Sequence, residues 1–446
     1  MSGRRVALAG ALAVVLAAVA SPSPAAPPNI VLILVDDLGW ADLSVHGARR
    51  IETPHIEALA SQGVRFAHAY AAAPYCGPSR AALMTSRYPQ RFGFEYNPEA
   101  GLRGERSPGL PAGERTLADE LRAVGYETML VGKWHLGFHP PSVPRLRGFD
   151  EFFGFLGSTH PYLEPARYDA LFRNGKKTAE SEFLTEAFAR EAVAFVRRPR
   201  KKPFFLYLSF NAPHVPLEAP ERYRERFGFV VNSDRRTYLA MVSALDDAIG
   251  AVLGAIDAGG LRDDTLVVFT NDNGGSKGNG ASNAPLQGSK GTMWEGGIRV
   301  PLFVRWPARV AAGSRDERIV SLLDVGPTLV SAAGGPVAES GSRDGIDLAL
   351  GVEARPAKPR GPLFWRSGRS SAVRDGPLKL VRHERRVGLY DLSADPGERV
   401  DLASDRPAEV ARLRALYDAW EDTMSPPGWE RPRRPFVRWR DEPGAG

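Results

Sequence analysis

Residues 29–37 read NIVLILVDD, in which six β-branched or leucine residues are followed by two aspartates. A continuous apolar run of this length is typical of a strand that is buried on both faces, as in a parallel sheet. Such a sheet needs helices on both of its faces. The run therefore predicts a helix-covered sheet with Asp36 and Asp37 at the carboxyl end of one of its strands.

The chain beyond this strand alternates between apolar runs and amphipathic segments. The pattern predicts strands at residues 126–131, 204–210 and 266–270, and helices at residues 53–61, 116–124, 181–196 and 237–256. Strands that alternate with helices indicate an α/β fold with a largely parallel sheet. We therefore expect a large, mostly parallel sheet sandwiched by helices.

The character of the sequence changes near residue 350. Proline and arginine dominate residues 354–362, and strand-like segments follow at 363–366, 378–382 and 389–392 before a predicted helix at 407–420. This pattern favours a smaller C-terminal α+β domain that contains an antiparallel sheet. We therefore divide the mature chain into an α/β domain at residues 27–350 and a C-terminal domain at residues 351–446.

Polar side chains follow the predicted strands of the large sheet. They are Asp36, Asp37, Lys133, His135, His214, Asp272 and Asn273. In open α/β sheets, ligands bind outside the carboxyl ends of the strands. Because the sheet brings those ends to one edge, we expect these residues to share a site although they lie far apart in sequence.

Four of these residues offer oxygen ligands, namely Asp36, Asp37, Asp272 and Asn273. Hard divalent cations such as Ca²⁺ or Mg²⁺ prefer carboxylate and amide oxygens. Zinc would instead favour histidine or cysteine at characteristic spacing, which the chain lacks. Paired carboxylates also serve as general acids and bases, but two adjacent aspartates without a cation would raise each other's pKa. The pattern therefore favours a metal site.

The N-terminus has the pattern of an export signal. Arg4 and Arg5 precede an apolar run at residues 6–20, and alanine-rich cleavage sites follow before residue 27. The run is short for a membrane span, so we interpret residues 1–26 as a secretory signal peptide. An uncleaved N-terminal anchor is the alternative. We expect an exported protein, periplasmic or secreted, with no stable membrane insertion after cleavage.

The composition of the 446-residue chain is that of a globular protein, with 43% hydrophobic and 25% charged residues. It excludes a disordered chain. The formal net charge of +6 is small for this length, and we expect no nucleic-acid partner. The single cysteine, Cys76, excludes a disulfide framework and any cysteine-rich metal site. In an exported chain, a lone cysteine is either a buried small hydrophobe or is kept for chemistry.

The segment that begins at Cys76 reads CGPSRAALMT and has the specific pattern Cys-x-Pro-Ser-Arg. Further motifs are found at residues 28–39, 132–137, 212–214, 270–274, 290–291, 294–301, 389–392 and 395–398. With these motifs, essentially the whole mature chain resembles the sulfatase family of the alkaline-phosphatase-like superfamily. The resemblance leans toward arylsulfatase and N-acetylgalactosamine-6-sulfatase-like members. The chain departs from the family at Ser86, where a glycine is common.

The resemblance implies that a formylglycine-generating enzyme converts Cys76 to Cα-formylglycine. The hydrate of this aldehyde has two hydroxyls on one carbon, of which one attacks sulfur and the other, once deprotonated, expels sulfate. The implied metal is Ca²⁺, with Mg²⁺ as the alternative. Its ligands are the oxygen atoms of Asp36, Asp37, Asp272 and Asn273, together with the group at position 76.

The resemblance also assigns roles to the remaining polar residues. Lys133 and Lys290 neutralise the charge of the transferring sulfate. Arg80 holds the hydrate or the metal ligands, His214 acts as the general acid for the leaving oxygen, and His135 is the base-like partner of the hydrate. His160, in the segment GSTH, is a candidate for lining the substrate pocket.

We therefore expect a sulfuric-ester hydrolase that acts on a small-molecule or oligosaccharide sulfate ester. One alternative keeps the fold but cleaves phosphate or phosphonate esters. A second is a non-catalytic sulfoglycan-binding protein in which Cys76 remains a thiol. The pattern G-x-S-x-G at residues 274–278 also suggests a serine hydrolase, but no helix is predicted to follow it.

Overall fold

The computed structural model describes residues 26–98, 108–163, 170–336, 343–351 and 360–429. The predicted signal peptide, apart from its last residue, lies outside the described residues. The strands are β1 Asn29–Val35, β2 Val64–Tyr70, β3 Glu127–Lys133, β4 Glu151–Phe155, β5 Leu171–Arg173, β6 Lys176–Thr178, β7 Phe204–Ser209, β8 Thr265–Asn271, β9 Leu302–Arg305, β10 Ser314–Ser321, β11 Leu363–Ser367, β12 Ser370–Asp375, β13 Leu378–His383 and β14 Arg386–Asp391.

The α-helices are α1 Pro54–Ser61, α2 Cys76–Thr85, α3 Leu117–Ala123, α4 Leu184–Val196, α5 Glu221–Arg224, α6 Ser233–Ala258, α7 Glu295–Ile298, α8 Val325–Ala332 and α9 Pro407–Glu421. The predicted helices and strands agree with these bounds to within a few residues. Among the helices, the largest differences are at α4, which begins three residues later than predicted, and at α6, which begins four residues earlier. Asn232 caps α6 by accepting a hydrogen bond from the Arg235 amide, which explains the earlier start.

Ten strands form one mixed sheet in the order β10-β2-β9-β8-β1-β7-β3-β4-β5-β6. The five central strands, from β8 to β4, run parallel to one another. Antiparallel pairs join β9 to β2 and β8, and join β5 to β4 and β6. The predicted fold class, a large and mostly parallel sheet between helices, is therefore confirmed.

The two faces of β1 show why its sequence is apolar throughout. Val31 and Ile33 pack into a core that includes residues of α4 and α6, whereas Ile30 and Leu32 pack into a second core that includes residues of α2, α3 and α8. Successive side chains of a strand point to opposite faces of the sheet, so both sets are buried. This strand therefore carries its carboxyl end into the centre of a helix-covered sheet.

Helix α6 has 26 residues and meets the length and hydropathy criteria for a membrane span. However, 78% of its apolar window is buried inside the protein. The helix packs against α1, α4 and α5, and its side chains contribute to the core on that face of the sheet. Within the described residues, α6 is therefore a core helix.

The four remaining strands form an antiparallel sheet in the order β11-β12-β13-β14, and α9 packs against β12 and β13. This confirms the predicted antiparallel sheet in the C-terminal part of the chain, whereas the domain boundary at residue 350 stays a prediction. The sequence interpretation missed β12, and it placed the last strand three residues too late. Both errors arise because these strands are short and mix polar with apolar residues, which weakens a periodic signal.

A group of buried charged residues joins the small sheet to the large one. The Lys379 ammonium on β13 donates to Glu295 at 2.9 Å and to Glu398 at 2.8 Å, and all three side chains are buried. The Tyr70 hydroxyl donates to the second oxygen of Glu295, and the Glu295 amide donates to the second oxygen of Glu398. We call Tyr70, Glu295, Lys379 and Glu398 the interface cluster.

Candidate active site

The carboxyl ends of the central strands bring distant polar residues together. Asp36 and Asp37 follow β1, Lys133 is the last residue of β3, and Asp272 follows β8. All four side chains are buried. We call the following residues the sheet-edge cluster: Asp36, Asp37, Cys76, Arg80, Lys133, His135, His214, Asp272, Asn273 and Lys290.

Cys76 is the first residue of α2, a helix that is buried throughout its length. Its Sγ lies 3.4 Å from an oxygen of Asp36 and 3.0 Å from the ammonium of Lys290. Burial, together with the negative charges of Asp272 and Asp36, raises the pKa of the Cys76 thiol well above its ordinary value. An unmodified thiol at this position is therefore protonated near neutral pH and is a weak nucleophile.

Arg80 lies one helical turn after Cys76 on α2 and connects the strand ends. Its fully buried guanidinium donates to Asp272 at 2.9 Å and to Asp36 at 3.3 Å. It also donates to the Ser209 hydroxyl at 2.6 Å and to the Lys133 carbonyl at 3.2 Å. The planar fork of arginine suits several fixed acceptors at once. Arg80 thereby ties the ends of β1, β3, β7 and β8 to the helix that carries Cys76.

Two lysines neutralise the two adjacent aspartates. The Lys133 ammonium donates to Asp36 at 2.5 Å, and the Lys290 ammonium lies 2.8 Å from one oxygen of Asp37 and 2.9 Å from the other. Burial alone would raise the pKa of Asp36, but Lys133, His214 and Arg80 hold it well below its usual range. Asp36 is therefore ionised despite its complete burial.

The two cluster histidines have different surroundings. The Nδ1–H of His214 donates to the Val215 carbonyl at 2.9 Å, and its Nε2 lies 3.7 Å from Asp37. Neither ring nitrogen of the fully buried His135 has a hydrogen-bond partner within the described residues. Burial and the neighbouring Lys133 and Arg80 hold the pKa of His135 well below its usual range, so its imidazole is neutral.

Two of the seven non-glycine residues that have a positive φ angle within the described residues belong to the sheet-edge cluster. Asp37 has a φ of 64°, and His135 has a φ of 58°. A residue other than glycine adopts this left-handed region at an energetic cost that the surrounding structure must offset. Such positions cluster at functional sites, and these two lie in the sheet-edge cluster.

The cluster contains acceptor oxygens that no protein donor reaches. The Oδ1 atoms of Asp272 and Asn273 are buried and have no hydrogen-bond partner within the described residues. Burial, and then the negative charge of Asp36, raise the pKa of Asp272 to about 6. Ligand atoms of Asp36, Asp37, Cys76 and His214 also lie within 4.8 Å of one another. This set of oxygen atoms fits a hard divalent cation.

His160 does not contact the sheet-edge cluster through its ring. The imidazole lies 2.7 Å from the Pro161 carbonyl through Nδ1 and packs beside Phe155, with ring centroids 5.2 Å apart. Its carbonyl oxygen accepts a hydrogen bond from Asn211, which follows β7. A role of His160 in binding substrate stays a prediction.

Sequence reasoning missed two residues that touch the cluster. The Ser209 hydroxyl, at the end of β7, accepts from Arg80 and lies 2.7 Å from the Lys133 carbonyl, and the buried Asn279 amide donates to Asp37 at 3.2 Å. Ser209 is the last residue but one of the strand predicted at residues 204–210, so its position was a usable signal. Asn279 ends a short 3-10 helix and is 242 residues from Asp37 in sequence, and no local pattern marks it.

The fold and this site define a class of enzyme with the alkaline-phosphatase-like architecture. The family model described as Sulfatase matches residues 28–335. The chain therefore belongs to the sulfatase family, whose members are hydrolases of sulfate esters.

Individual relatives agree with this assignment. The chain is 37% identical to human N-acetylgalactosamine-6-sulfatase over 90% of this chain and 87% of the relative. It is 32% identical to mouse arylsulfatase J over 90% of this chain and 76% of that protein. Among solved structures, Ps i-CgsB in complex with k-i-k-neocarrahexaose superposes with a TM-score of 0.85 at 36% identity. That superposition covers 90% of this chain and 94% of the other.

Proposed function

We propose that this protein removes sulfate from a sulfated carbohydrate through a Cα-formylglycine formed from Cys76 and a divalent cation of the Ca²⁺ type. The observation that carries the proposal is the sheet-edge cluster. In it Cys76 contacts Asp36 and Lys290, and oxygens of Asp272 and Asn273 have no hydrogen-bond partner within the described residues. The relatives named above support the substrate class, because one is an N-acetylgalactosamine-6-sulfatase and one binds a carrahexaose. The predicted signal peptide at residues 1–26 supports export.

Asp36, Asp37, Asp272 and Asn273 would hold the cation. The free oxygens of Asp272 and Asn273 would gain a partner, and the mutual repulsion of the three carboxylates would fall. When bound, the cation supplies Lewis-acid polarisation of a sulfate oxygen and orients the reacting group at position 76. The ligand set suits Ca²⁺, and Mg²⁺ is the alternative.

Conversion of Cys76 to formylglycine would supply a hydroxyl nucleophile in place of a thiol. The raised pKa of the thiol supports this proposal, because an unmodified Cys76 would be a weak nucleophile. The conversion requires a formylglycine-generating enzyme as a maturation partner. The lone position of Cys76 at the buried start of α2 supports a chemical role rather than disulfide formation.

Lys133 and Lys290 would stabilise the negative charge that spreads over the transferring sulfate. Both ammonium groups are fixed by aspartates, so little reorganisation is needed as the charge develops. Arg80 would hold Asp36 and Asp272 in place through its hydrogen bonds. These three residues therefore act by binding and orientation rather than by proton transfer.

His135 and His214 would perform the proton transfers of the reaction. His135 is neutral, and neither of its ring nitrogens has a hydrogen-bond partner in the described part of the chain, so it is our candidate to accept a proton from the hydroxyl at position 76. A proton on Nδ1 of His214 would be donated to the Val215 carbonyl, so donation from Nε2 to the leaving oxygen requires the imidazolium form. Burial lowers the pKa of His214, whereas Asp36 and Asp37 favour its protonated form.

The test compares 4-nitrophenyl sulfate, 4-nitrophenyl phosphate and a phosphonate ester as substrates. The protein is produced in a host that also expresses a formylglycine-generating enzyme, and Cys76→Ala protein is the control. We expect sulfate-ester hydrolysis to be fastest, and to depend on added Ca²⁺ and on Cys76. Faster phosphate or phosphonate cleavage would favour the alternative hydrolase. Binding of sulfated oligosaccharides without turnover by formylglycine-bearing protein would favour the non-catalytic alternative.

A further inference from the structure

A strongly basic segment lies at the opposite edge of the sheet from the candidate active site. The connection between α4 and β7 reads RRPRKK at residues 197–202 and lines a hollow of about 590 Å³. Asn29 at the start of β1 and Phe204 at the start of β7 also line this hollow. The hollow therefore faces the amino ends of the strands, whereas the sheet-edge cluster lies at their carboxyl ends.

The segment has more positive charge than nearby carboxylates neutralise. Arg198 pairs with Glu151 at 2.5 Å, and Arg200 lies 3.3 Å from Glu127. Arg197, Lys201 and Lys202 are exposed, and none of them forms an ion pair with another described residue. The described lining of the hollow includes a single carboxylate, that of Asp264. The hollow is therefore an attractive position for an anion.

Arg200 forms a fixed part of the hollow rather than a mobile rim. Its side chain is 9% exposed, and the guanidinium lies 4.4 Å from the ring centre of Phe195 and 4.6 Å from that of Phe204. One terminal nitrogen donates to the Phe195 carbonyl. The other is buried and has no hydrogen-bond partner within the described residues. A buried guanidinium nitrogen with an unpaired donor contributes positive charge that no described acceptor balances, which strengthens the attraction of the hollow for an anion.

We propose that this hollow is a second binding site for sulfated polysaccharide, with Arg200 at its floor and Arg197, Lys201 and Lys202 at its rim. The proposal rests on the proposed function, because a sulfated carbohydrate is the polyanion that the enzyme would meet. Several pyranose units fit the volume, and their sulfate groups would pair with the rim cations. Arginine and lysine are the usual partners of sulfate-like anions.

Other polyanions match the hollow less well. Peripheral binding to a membrane uses exposed aliphatic or aromatic side chains beside the cations. The exposed large hydrophobic residues of the described chain are Leu146, Leu163, Phe229, Val231 and Val400, and none of them lines the hollow. Single-stranded nucleic acid binds by stacking its bases on exposed aromatic rings. The rings here, Phe195 and Phe204, are buried.

The position of the hollow determines its effect on catalysis. Strand β1 has seven residues, so the two edges of the sheet are separated by about 23 Å. A long polymer that is held at the hollow has a raised effective concentration near the active site, whereas a small ester gains nothing. The second site should therefore lower KM for polymeric substrates only.

The experiment measures the affinity of the full mature protein for dextran sulfate of defined length over a range of salt concentrations. The test variant is Arg197→Gln/Lys201→Gln/Lys202→Gln. The matched control, Arg49→Gln/Arg50→Gln/Arg385→Gln, removes the same charge from exposed positions elsewhere. Unsulfated dextran, phosphatidylglycerol vesicles and duplex DNA are the comparison ligands. Kinetics with 4-nitrophenyl sulfate and a sulfated polysaccharide complete the set.

We expect the test variant to bind dextran sulfate at least about tenfold more weakly than wild type. The slope of log affinity against log salt should fall by about two to three, one for each lost contact. The control should keep most of the affinity, and kcat on the small ester should be unchanged in both variants. Equal binding by wild type and test variant, or an equal loss in the control, would overturn the proposal.

Tighter binding of vesicles or DNA than of dextran sulfate would also overturn it, because the partner class would be wrong. The binding results do not depend on turnover. If no sulfate ester is hydrolysed but the charge-dependent binding is found, the proposed function fails and the second site stands.

Discussion

The sheet-edge cluster and the interface cluster are both buried, but their hydrogen bonds are completed to different degrees. In the interface cluster, both carboxylate oxygens of Glu295 and of Glu398 accept hydrogen bonds from protein donors. In the sheet-edge cluster, oxygens of Asp272 and Asn273 and both ring nitrogens of His135 have no partner within the described residues. Burial alone therefore does not explain the difference.

The difference separates a structural role from a functional one. Buried polar groups in folded proteins are normally hydrogen-bonded, and exceptions call for a ligand or a chemical role. The sheet-edge cluster contains three carboxylates and three permanent cations, namely Asp36, Asp37, Asp272, Arg80, Lys133 and Lys290. It is formally neutral, so a bound divalent cation would give the cluster a net positive charge that favours an anionic sulfate ester. In the interface cluster, every carboxylate oxygen of Glu295 and Glu398 already accepts a hydrogen bond from the protein.

The largest expected effect comes from Asp272→Asn. This change removes one cation ligand, so we expect kcat to fall by about 10³-fold, which corresponds to several kcal/mol of lost charge stabilisation. The free energy of unfolding without added metal should change little. Arg80 still donates hydrogen bonds to Asp36 and Ser209, and the repulsion between Asp36 and Asp272 is removed. Steady-state kinetics and urea unfolding measure the two effects.

Asp246→Asn is the matched control for this change. Asp246 is also buried, but it accepts hydrogen bonds from the amides of His55 and Ile56 at the start of α1. The control should lose about 1 kcal/mol of stability and keep its activity. Comparable activity losses in both variants would contradict the separation of the two roles.

Lys379→Met tests the interface cluster. It leaves Glu295 and Glu398 buried without their shared cation, so we expect the free energy of unfolding to fall by about 3–5 kcal/mol. Combining Lys379→Met with Glu398→Gln removes one of the unpaired charges and should recover part of this loss. If Lys379→Met lowers the free energy of unfolding by less than about 1 kcal/mol, the interface cluster does not have the proposed structural role.

Added Ca²⁺ distinguishes the two clusters, because we expect it to bind only the sheet-edge cluster. At a concentration 100 times its Kd, Ca²⁺ should stabilise the wild-type protein by about 2.7 kcal/mol. Lys379→Met protein should gain the same amount, whereas Asp272→Asn and Asp37→Asn proteins should gain much less. Thermal unfolding with and without Ca²⁺ gives these values. An equal gain in Asp272→Asn protein would place the cation elsewhere.

The smallest expected effect comes from Ser209→Ala. Loss of the hydroxyl removes one acceptor of Arg80, so we expect stability to fall by about 1–2 kcal/mol. Misplacement of the guanidinium should also lower kcat, about tenfold, with KM nearly unchanged. Thr185→Val is the control, because the buried Thr185 hydroxyl has no hydrogen-bond partner within the described residues. Similar kinetics in both variants would argue against a positioning role for Ser209.

The fold could be predicted from sequence where strands are buried on both faces. Strands β1, β3, β7 and β8 are apolar runs in the middle of the sheet, and their carboxyl ends mark most of the site. The strands missed in the large sheet, β2, β4, β5, β6, β9 and β10, lie on either side of this centre. Strand β10, which reads SRDERIVS, mixes exposed with buried residues, whereas β9 is fully buried but only four residues long. In such strands, pairing with neighbours determines the structure, and the sequence alone carries a weak signal.

The site was predictable only to the extent that motifs and strand ends mark it. The Cys-x-Pro-Ser-Arg motif indicated Arg80, but the four acceptors of its guanidinium come from four other segments of the chain. The interface cluster was not foreseen, because Lys379 lies in a short strand and meets Glu295 only after the two sheets pack. Contacts of this kind depend on tertiary structure rather than on local pattern.

The chemical state of residue 76 tests most directly whether a formylglycine formed from Cys76 is the nucleophile. Mass spectrometry of the peptide that contains Cys76, from protein purified from its native host, distinguishes the thiol from the aldehyde. We expect the mass of Cα-formylglycine in the active protein, and no sulfatase activity in any fraction that retains the thiol. An unmodified Cys76 in fully active protein would contradict this expectation.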